Sequence, residues 1–236
     1  VTAAVTDRLL QGELPPEVSL VELFADPPVA LFPEEAEAVA GAGDKRRQEY
    51  ATVRHCARKA LVRLGVGPVP IPPRQDGPAW ARRAPRWPEG VVGSMTHCDG
   101  YRAAAVARAE AVLALGVDAE PNEPLPAGIS DTVMGPEERA TAARLSLSHP
   151  QVAWERLVFS AKESVFKTWY PLTGRWLDFT ECTVRPDPER GTFTGTLGVP
   201  GPVVEGVRVN RFSGLWCTSI AEGHLATAVV IPARRH

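Results

Sequence analysis

Residues 91–121 hold three consecutive apolar segments, Val91–His97, Tyr101–Ala107 and Ala111–Glu120, separated by a Cys98-Asp99-Gly100 turn and a second turn near Arg108–Glu110. Short apolar runs bounded by turn residues predict neighbouring strands of an antiparallel meander. The third run stays apolar to Val117 and then ends in Asp118-Ala119-Glu120 before Pro121. If Ala107 pairs near Ala111, antiparallel register puts Tyr101 opposite Val117, which brings both acids to the level of the Cys98–Gly100 turn. His97 lies at that same sheet edge.

The flanks predict helices and further strands. Residues 1–32, with Pro15, Pro16, Pro27 and Pro28, read as an irregular lead-in; a helix then opens at Pro33 with Glu34 and Glu35 in its first turn. Asp44 is a plausible N-cap for a longer helix closed by Gly65. Its apolar face carries Tyr50, Val53, Ala57, Ala60, Leu61 and Leu64, and its other side Arg46, Arg47, Arg54 and Arg58. Residues 66–90 are rich in Pro, Gly and Arg and predict a long ordered loop. Residues 121–150 read as loop or short helix, Trp154–Tyr170 as a helix stopped by Pro171, and 176–231 as short strands around turns. A faint internal echo relates 98–106 to 221–229. It suggests two similar α+β halves with a cleft between them, where ligands commonly bind.

Composition narrows the class. At 236 residues, with 44% hydrophobic and 23% charged residues, the chain has room for a proper core. No apolar run approaches the roughly 18–20 residues of a membrane helix, and the first residues lack the basic-then-apolar pattern of a signal peptide. Cys56, Cys98, Cys182 and Cys217 are scattered, which argues for free thiols in a reducing cytosol rather than a zinc site or disulfide framework. A net charge of −2 provides no general attraction to nucleic acid. The expected setting is cytoplasmic, with neither a nucleic-acid nor a membrane partner.

Four constellations can carry chemistry. Asp118 and Glu120, two apart on a strand, project to one face, where two carboxylates repel unless protonated or bridged by a hard cation such as Mg²⁺; the bland alternative is a solvated strand end. Only four of the 26 basic residues are lysine, and Lys162 and Lys167 flank Glu163 on one helix. Glu163 and Lys167, four apart, share a face; they form either a functional pair or a structural ion pair. Thr96 and His97 can hold phosphate oxygens, or His97 is simply a satisfied polar residue. The arginines of the 44–64 helix, with Arg74, Arg82, Arg83 and Arg86, form either a phosphate-recognition surface or a solvated face. There is no H-E-x-x-H, G-x-S-x-G or Walker loop.

Taken in order and spacing, Arg46, Arg54-His55-Cys56-Ala57-Arg58, Pro85-Arg86-Trp87-Pro88, Gly93-Ser94-Met95-Thr96-His97-Cys98, Gly116-Val117-Asp118-Ala119-Glu120 and Lys162-Glu163-Ser164-Val165-Phe166-Lys167 resemble the 4′-phosphopantetheinyl transferases of the surfactin- and enterobactin-synthetase type, most closely their actinobacterial members. The resemblance implies an α+β fold of two pseudo-symmetric halves, each a helix packed on an antiparallel β-meander. Residues 1–112 form the N-terminal half and 113–236 the C-terminal half, with the active site in the cleft between them. It implies a monomer of the holo-[acyl-carrier-protein] synthase type, which moves the 4′-phosphopantetheine arm of coenzyme A to the serine of apo acyl or peptidyl carrier proteins and releases adenosine 3′,5′-bisphosphate. The cofactor implied is Mg²⁺, or Mn²⁺ in its place.

By position, the resemblance makes Asp118, Glu120 and Glu163 the metal ligands, and Asp118, Glu163 and Lys167 the catalytic set. It assigns Lys162 and Lys167 to pyrophosphate charge, and Arg46, Arg54 and His97 to the 3′-phosphate with Thr96 beside them. Some relatives carry a lysine where this chain has Ala84, and Arg74 or Arg83 is expected to supply that cation. Glu163 is placed to take the serine proton, directly or through water. Carrier proteins are acidic around their serine, so an exposed apolar and basic surface is expected within 121–150, around Met134. The competing readings are a Mg²⁺-dependent hydrolase of coenzyme A or a related nucleotide, and a non-catalytic coenzyme A or carrier-binding protein. Which carriers are served, whether of fatty acid, polyketide or nonribosomal peptide assembly, stays open.

Overall fold

The segment expected to be an irregular lead-in contributes a strand. In the computed structural model, which describes residues 8–219 and 221–234, Val18–Leu23 forms β1; residues 1–7 of that lead-in lie outside the described residues. The helices are α1 (Pro33–Glu37), α2 (Asp44–Arg63), α3 (Ile129–Val133), α4 (Pro136–Ser148) and α5 (Trp154–Thr173). The remaining strands are β2 (Val91–Cys98), β3 (Tyr101–Arg108), β4 (Val112–Pro121), β5 (Cys182–Asp187), β6 (Thr192–Leu197), β7 (Val203–Val204), β8 (Val207–Arg208), β9 (Arg211–Ser219) and β10 (His224–Pro232).

β1 and β2 take the two edges of β3, with Leu20 opposite Ala105 and Thr96 opposite Ala103. The expected meander therefore breaks after its second strand. Both edges of β3 are filled, so β4 cannot pair with it and instead pairs antiparallel with β10, Asp118 opposite Thr227. The first sheet has the order β1-β3-β2 and the second β4-β10-β9-β6-β5, with β7 and β8 as a separate ribbon. The β4-β10-β9 part of that second order repeats the first sheet: β3 and β10 each lie between two neighbours, and each is entered through a left-handed glycine, Gly100 (φ 72°) and Gly223 (φ 68°). This correspondence is the physical content of the sequence echo.

The two sheets share one core. Tyr101, Ala103, Ala105 and Ala107 of β3 meet Leu115, Val117 and Ala119 of β4 and Ala226 and Ala228 of β10. On the other face of β3, Ala104 and Val106 receive Ala57, Ala60 and Leu61 of α2. A strand covered on both faces reads as continuously apolar rather than alternating, and the small alanines let both layers approach. Val158, Ala161, Val165 and Trp169 of α5 pack on the second sheet against Val184, Phe193, Phe212 and Val229.

Three local expectations are revised. α5 runs through Pro171 to Thr173 and closes at Gly174 (φ 65°), whose N–H reaches Tyr170 O at 2.8 Å. A proline there forfeits a single backbone bond, to the carbonyl four residues back, in the last turn. The 121–150 segment contains the full-length helix α4, started by Pro136 and by the Glu138 carboxylate accepting from Gly135 N–H at 2.8 Å. Met134 is 2% exposed, packed into the α5 core rather than displayed; Ile129 and Leu147 are the exposed apolar residues of that segment. The cysteines are free, and burial pushes each thiol up to about 12, so none is a poised nucleophile.

α5 lies so near β4 that a Cβ on Gly116 would stand 2.1 Å from Ser164 O. Gly116→Ala is expected to cost at least about 1–3 kcal/mol, the range for overpacking a tight core. Gly41→Ala, where an added Cβ meets nothing within 4 Å, is expected to leave the urea midpoint unchanged.

Candidate active site

A cavity of about 1070 Å³ opens between α2 and α5, roofed by the 74–87 part of the long loop. That loop is tied into a narrow arch by Arg74 N–H to Ala84 O at 2.8 Å and Arg86 N–H to Pro72 O at 2.9 Å. Its Trp80 packs edge-on against Tyr170 and Trp176, ring centroids 5.3 Å apart in each case, so the arch closes on aromatics at and beyond the end of α5. Arg46, Arg54, Arg74, Arg83, His97, Lys162, Glu163 and Lys167 all border the cavity, whereas Thr96, Asp118 and Glu120 are not among its lining residues.

The α2 side brings Arg46 and Arg54 to the cavity beside His97. Arg54, assigned by the resemblance to the 3′-phosphate, is 6% exposed, its guanidinium 3.3 Å above the Tyr50 ring and its Nε on Ile71 O at 3.3 Å. Burial lowers it to about 10, still charged at neutral pH. Arg46 donates to His97 Nε2, and Glu49 lies 3.7 Å from both. Burial, then the neighbouring Arg46 charge, pushes His97 down to about 4, so at neutral pH the ring is an uncharged acceptor. Arg58 leaves the proposed stripe altogether: its Nη1 donates to both oxygens of the fully buried Glu35 at 2.9 and 2.8 Å. Of the two candidates for the missing lysine, Arg74 is paired with Asp76 at 3.1 Å, while Arg83 has no acidic partner among the described residues.

The α5 side divides its two lysines. Lys167 Nζ donates to Asp118 Oδ1 at 2.7 Å and Val117 O at 3.0 Å, beside the cavity. Lys162 was expected to neutralise phosphate charge, but its ammonium is consumed by Glu138 Oε2 (2.9 Å), Val133 O (2.7 Å) and Phe179 O (2.8 Å), with the side chain 2% exposed. Three donors on three protein acceptors leave none for a ligand. Glu138 in turn accepts from Val184 N–H at 2.7 Å, so this buried pair fastens α4, α5 and β5 together. Thr96 is likewise revised: its hydroxyl is used by Ala119 N–H at 2.9 Å and Asp118 Oδ1 at 3.3 Å, not offered to the cavity.

The acids are neighbours without being a ready-made cage. Among the described residues no three of His, Cys, Asp and Glu stand close enough to hold a metal as they are. Glu120 is drawn to Arg156 Nη1 at 3.1 Å, and Asp118 to Lys167. Yet Glu120 and Glu163 both feel the Asp118 charge. Burial first, and the Asp118 charge after it, raise Glu120 to about 7. Burial likewise raises Glu163, with Asp118 adding to the rise and Lys167 opposing it. Asp118 Oδ2 is buried with no hydrogen-bond partner. An acid cluster with an orphaned oxygen fits a hard divalent cation. Arg156 escaped the sequence reading, although it sits seven positions before Glu163 on the same stripe of α5; that spacing was the available signal. Glu49 and Trp80 carried no comparable signal, because only tertiary packing brings them to the cavity.

Comparison with known proteins decides the family. Residues 34–107 match the model of the 4′-phosphopantetheinyl transferase N-terminal domain, and residues 114–217 that of the 4′-phosphopantetheinyl transferase superfamily. The chain belongs to the 4′-phosphopantetheinyl transferases. It is 55% identical over 208 residues to the 4′-phosphopantetheinyl transferase Svp of Streptomyces mobaraensis, covering 88% of this chain and 81% of that one. It is 40% identical over 220 residues to PptT of Mycobacterium tuberculosis, covering 91% and 92%. It is 40% identical over 230 residues to Npt of Nocardia iowensis, covering 94% and 99%. This phosphopantetheinyl transferase is therefore an enzyme that transfers the phosphopantetheine arm of coenzyme A to carrier proteins. No helix among the described residues is long and apolar enough to cross a membrane.

Two outcomes follow for this transferase. Lys162→Ala should cost about 3–5 kcal/mol of stability in urea unfolding, the usual result of orphaning one member of a buried ion pair, and Lys167→Ala should lose activity. His97 titrates well below its ordinary 6.5 in the folded state. The unfolded chain therefore binds that proton first, and stability should fall as pH drops from about 6.5 towards about 4. His97→Gln should flatten that part of the pH–stability profile.

Proposed function

We propose that this transferase acts with Mg²⁺, or Mn²⁺ in its place, held by Asp118, Glu120 and Glu163. The observation that carries this is the buried, unpartnered Asp118 Oδ2 beside two carboxylates whose proton affinity it raises. When bound, the ion would neutralise the diphosphate and stabilise charge on the departing phosphate. Glu120 would exchange Arg156 for the ion, and Asp118 would keep Lys167 beside it.

The rest falls to the chain's own side chains. Arg46, Arg54 and neutral His97 grip the 3′-phosphate, with Arg83 supplying the further cation from the arch. Lys167 neutralises charge building on the oxygen between the two phosphates. The serine oxygen of the carrier attacks the β-phosphorus; its new P–O bond forms as the bond to the bridging oxygen breaks, and adenosine 3′,5′-bisphosphate leaves. Glu163 receives the serine proton, and burial, which raises its proton affinity, favours that role. We also take 1–112 and 113–236 as the two halves, the enzyme as a cytoplasmic monomer, and apo acyl and peptidyl carrier domains as its partners.

Incubation with coenzyme A, Mg²⁺ and an apo carrier protein should add one phosphopantetheine mass to the carrier, and chelation should abolish the gain. Coenzyme A consumed without a carrier would mark the hydrolase reading instead, and binding without turnover the non-catalytic one. Glu163→Gln should lower kcat by about 10²–10⁴-fold, the usual worth of a general base; near-normal turnover with Mg²⁺ would remove Glu163 from that role.

A further inference from the structure

β2 and β4, the edge strands of the two sheets, run side by side in the same direction, with no ladder between their backbones among the described residues. Side-chain hydroxyls close the gap. Val117 N–H donates to Ser94 Oγ at 3.0 Å, and Ala119 N–H donates to Thr96 Oγ1 at 2.9 Å. Both hydroxyl residues are buried, 4% and 3% exposed, so each satisfies an amide that would otherwise be orphaned inside the protein.

Thr96 has a second task that Ser94 lacks. Having accepted from Ala119, its hydroxyl hydrogen is free to donate, and Asp118 Oδ1 stands 3.3 Å away. Lys167 Nζ donates to that same oxygen at 2.7 Å. Two donors therefore converge on Oδ1, while Oδ2 of the same carboxylate is buried with none. A carboxylate fixed this way cannot rotate to satisfy Oδ2 internally without breaking contacts on Oδ1. Partners of this kind orient metal ligands in many sites.

We propose that Thr96 is a positioning residue that locks the Asp118 carboxylate with Oδ2 presented to the divalent cation. It acts through Asp118, not as a ligand of the coenzyme's phosphate. The proposal rests on the reading that Asp118 holds the ion.

Mn²⁺, followed by the electron paramagnetic resonance signal of the free ion, is titrated into enzyme saturated with coenzyme A. Thr96→Val keeps the shape and loses the hydroxyl; it should weaken Mn²⁺ binding by about 10–100-fold, the usual cost of removing such a partner. Thr96→Ser should restore it. Ser94→Ala, which breaks the seam without touching Asp118, should leave Mn²⁺ affinity within about twofold of wild type, below the tenfold step that 1.4 kcal/mol represents. In turnover, Thr96→Val should raise the Mg²⁺ concentration for half-maximal rate while the KM for coenzyme A changes little. If Thr96→Val does not fold, Thr96→Ala carries the same expectation. Unchanged Mn²⁺ affinity with a raised KM for coenzyme A would overturn the proposal in favour of a phosphate contact. Asp118→Asn separates the two levels: if it retains full Mn²⁺ affinity, the metal reading itself fails, and if it loses the ion while Thr96→Val does not, only the role of Thr96 fails.

Discussion

Helix α5 approaches β4 so closely that the strand residue beneath it, Gly116, has room for no side chain. That contact sets the scale of everything near it. A single bulkier residue there would lift the helix and carry Glu163 and Lys167 away from Asp118. With glycine in place, Lys167 reaches Asp118 and the Val117 carbonyl together, and Glu163 comes near enough to Asp118 for its proton affinity to respond. The chemistry of the site is thus set by backbone-to-backbone distance before any catalytic side chain is considered.

The second constraint is the way the two sheets meet. Sharing a core between β3, β4 and β10 turns α2 and α5 outward, while hydroxyl bonds along β2 and β4 hold the two edges in register. The result is one cavity with a different helix on each side. α2 contributes fixed cations, among them a guanidinium flattened on Tyr50, and α5 contributes a lysine and a carboxylate. A long charged ligand such as coenzyme A needs both kinds of wall, because its phosphates are spread along its length. Preorganised donors in a partly dry cavity stabilise such charge more than the same groups would in water.

Not every buried charge belongs to the ligand. Glu35 with Arg58, and Lys162 with Glu138, are saturated by protein partners. Both pairs tie a helix to a neighbouring segment: α1 and the loop at Ile71 to α2, and α4 and β5 to α5. Buried pairs of this type are costly to desolvate and destabilising to break, so they hold a specific arrangement. Lys162 and Lys167 look equivalent in the chain, five positions apart around one glutamate, yet one anchors the fold and the other faces the cavity.

The linear order of residues determined what local geometry controls. Side chains two apart on a strand share a face, so Asp118 and Glu120 had to emerge together. Residues four apart on a helix share a stripe, so Glu163 and Lys167 had to as well, and the same rule placed Arg156 beside them. Turn-bounded apolar runs marked β2, β3 and β4 as strands, and the family was legible from motif order. Strand partnership was not, because β4 could pair with β3 or β10 by pattern alone, and the choice fell to β1, whose proline-flanked segment gave no warning that it would fill the edge of β3. Nor were the tasks of Thr96, Lys162 and Arg58, since whether a polar group is spent or free depends on acceptors such as Asp118, Phe179 and Glu35, which only the folded chain brings within 3.3 Å of them.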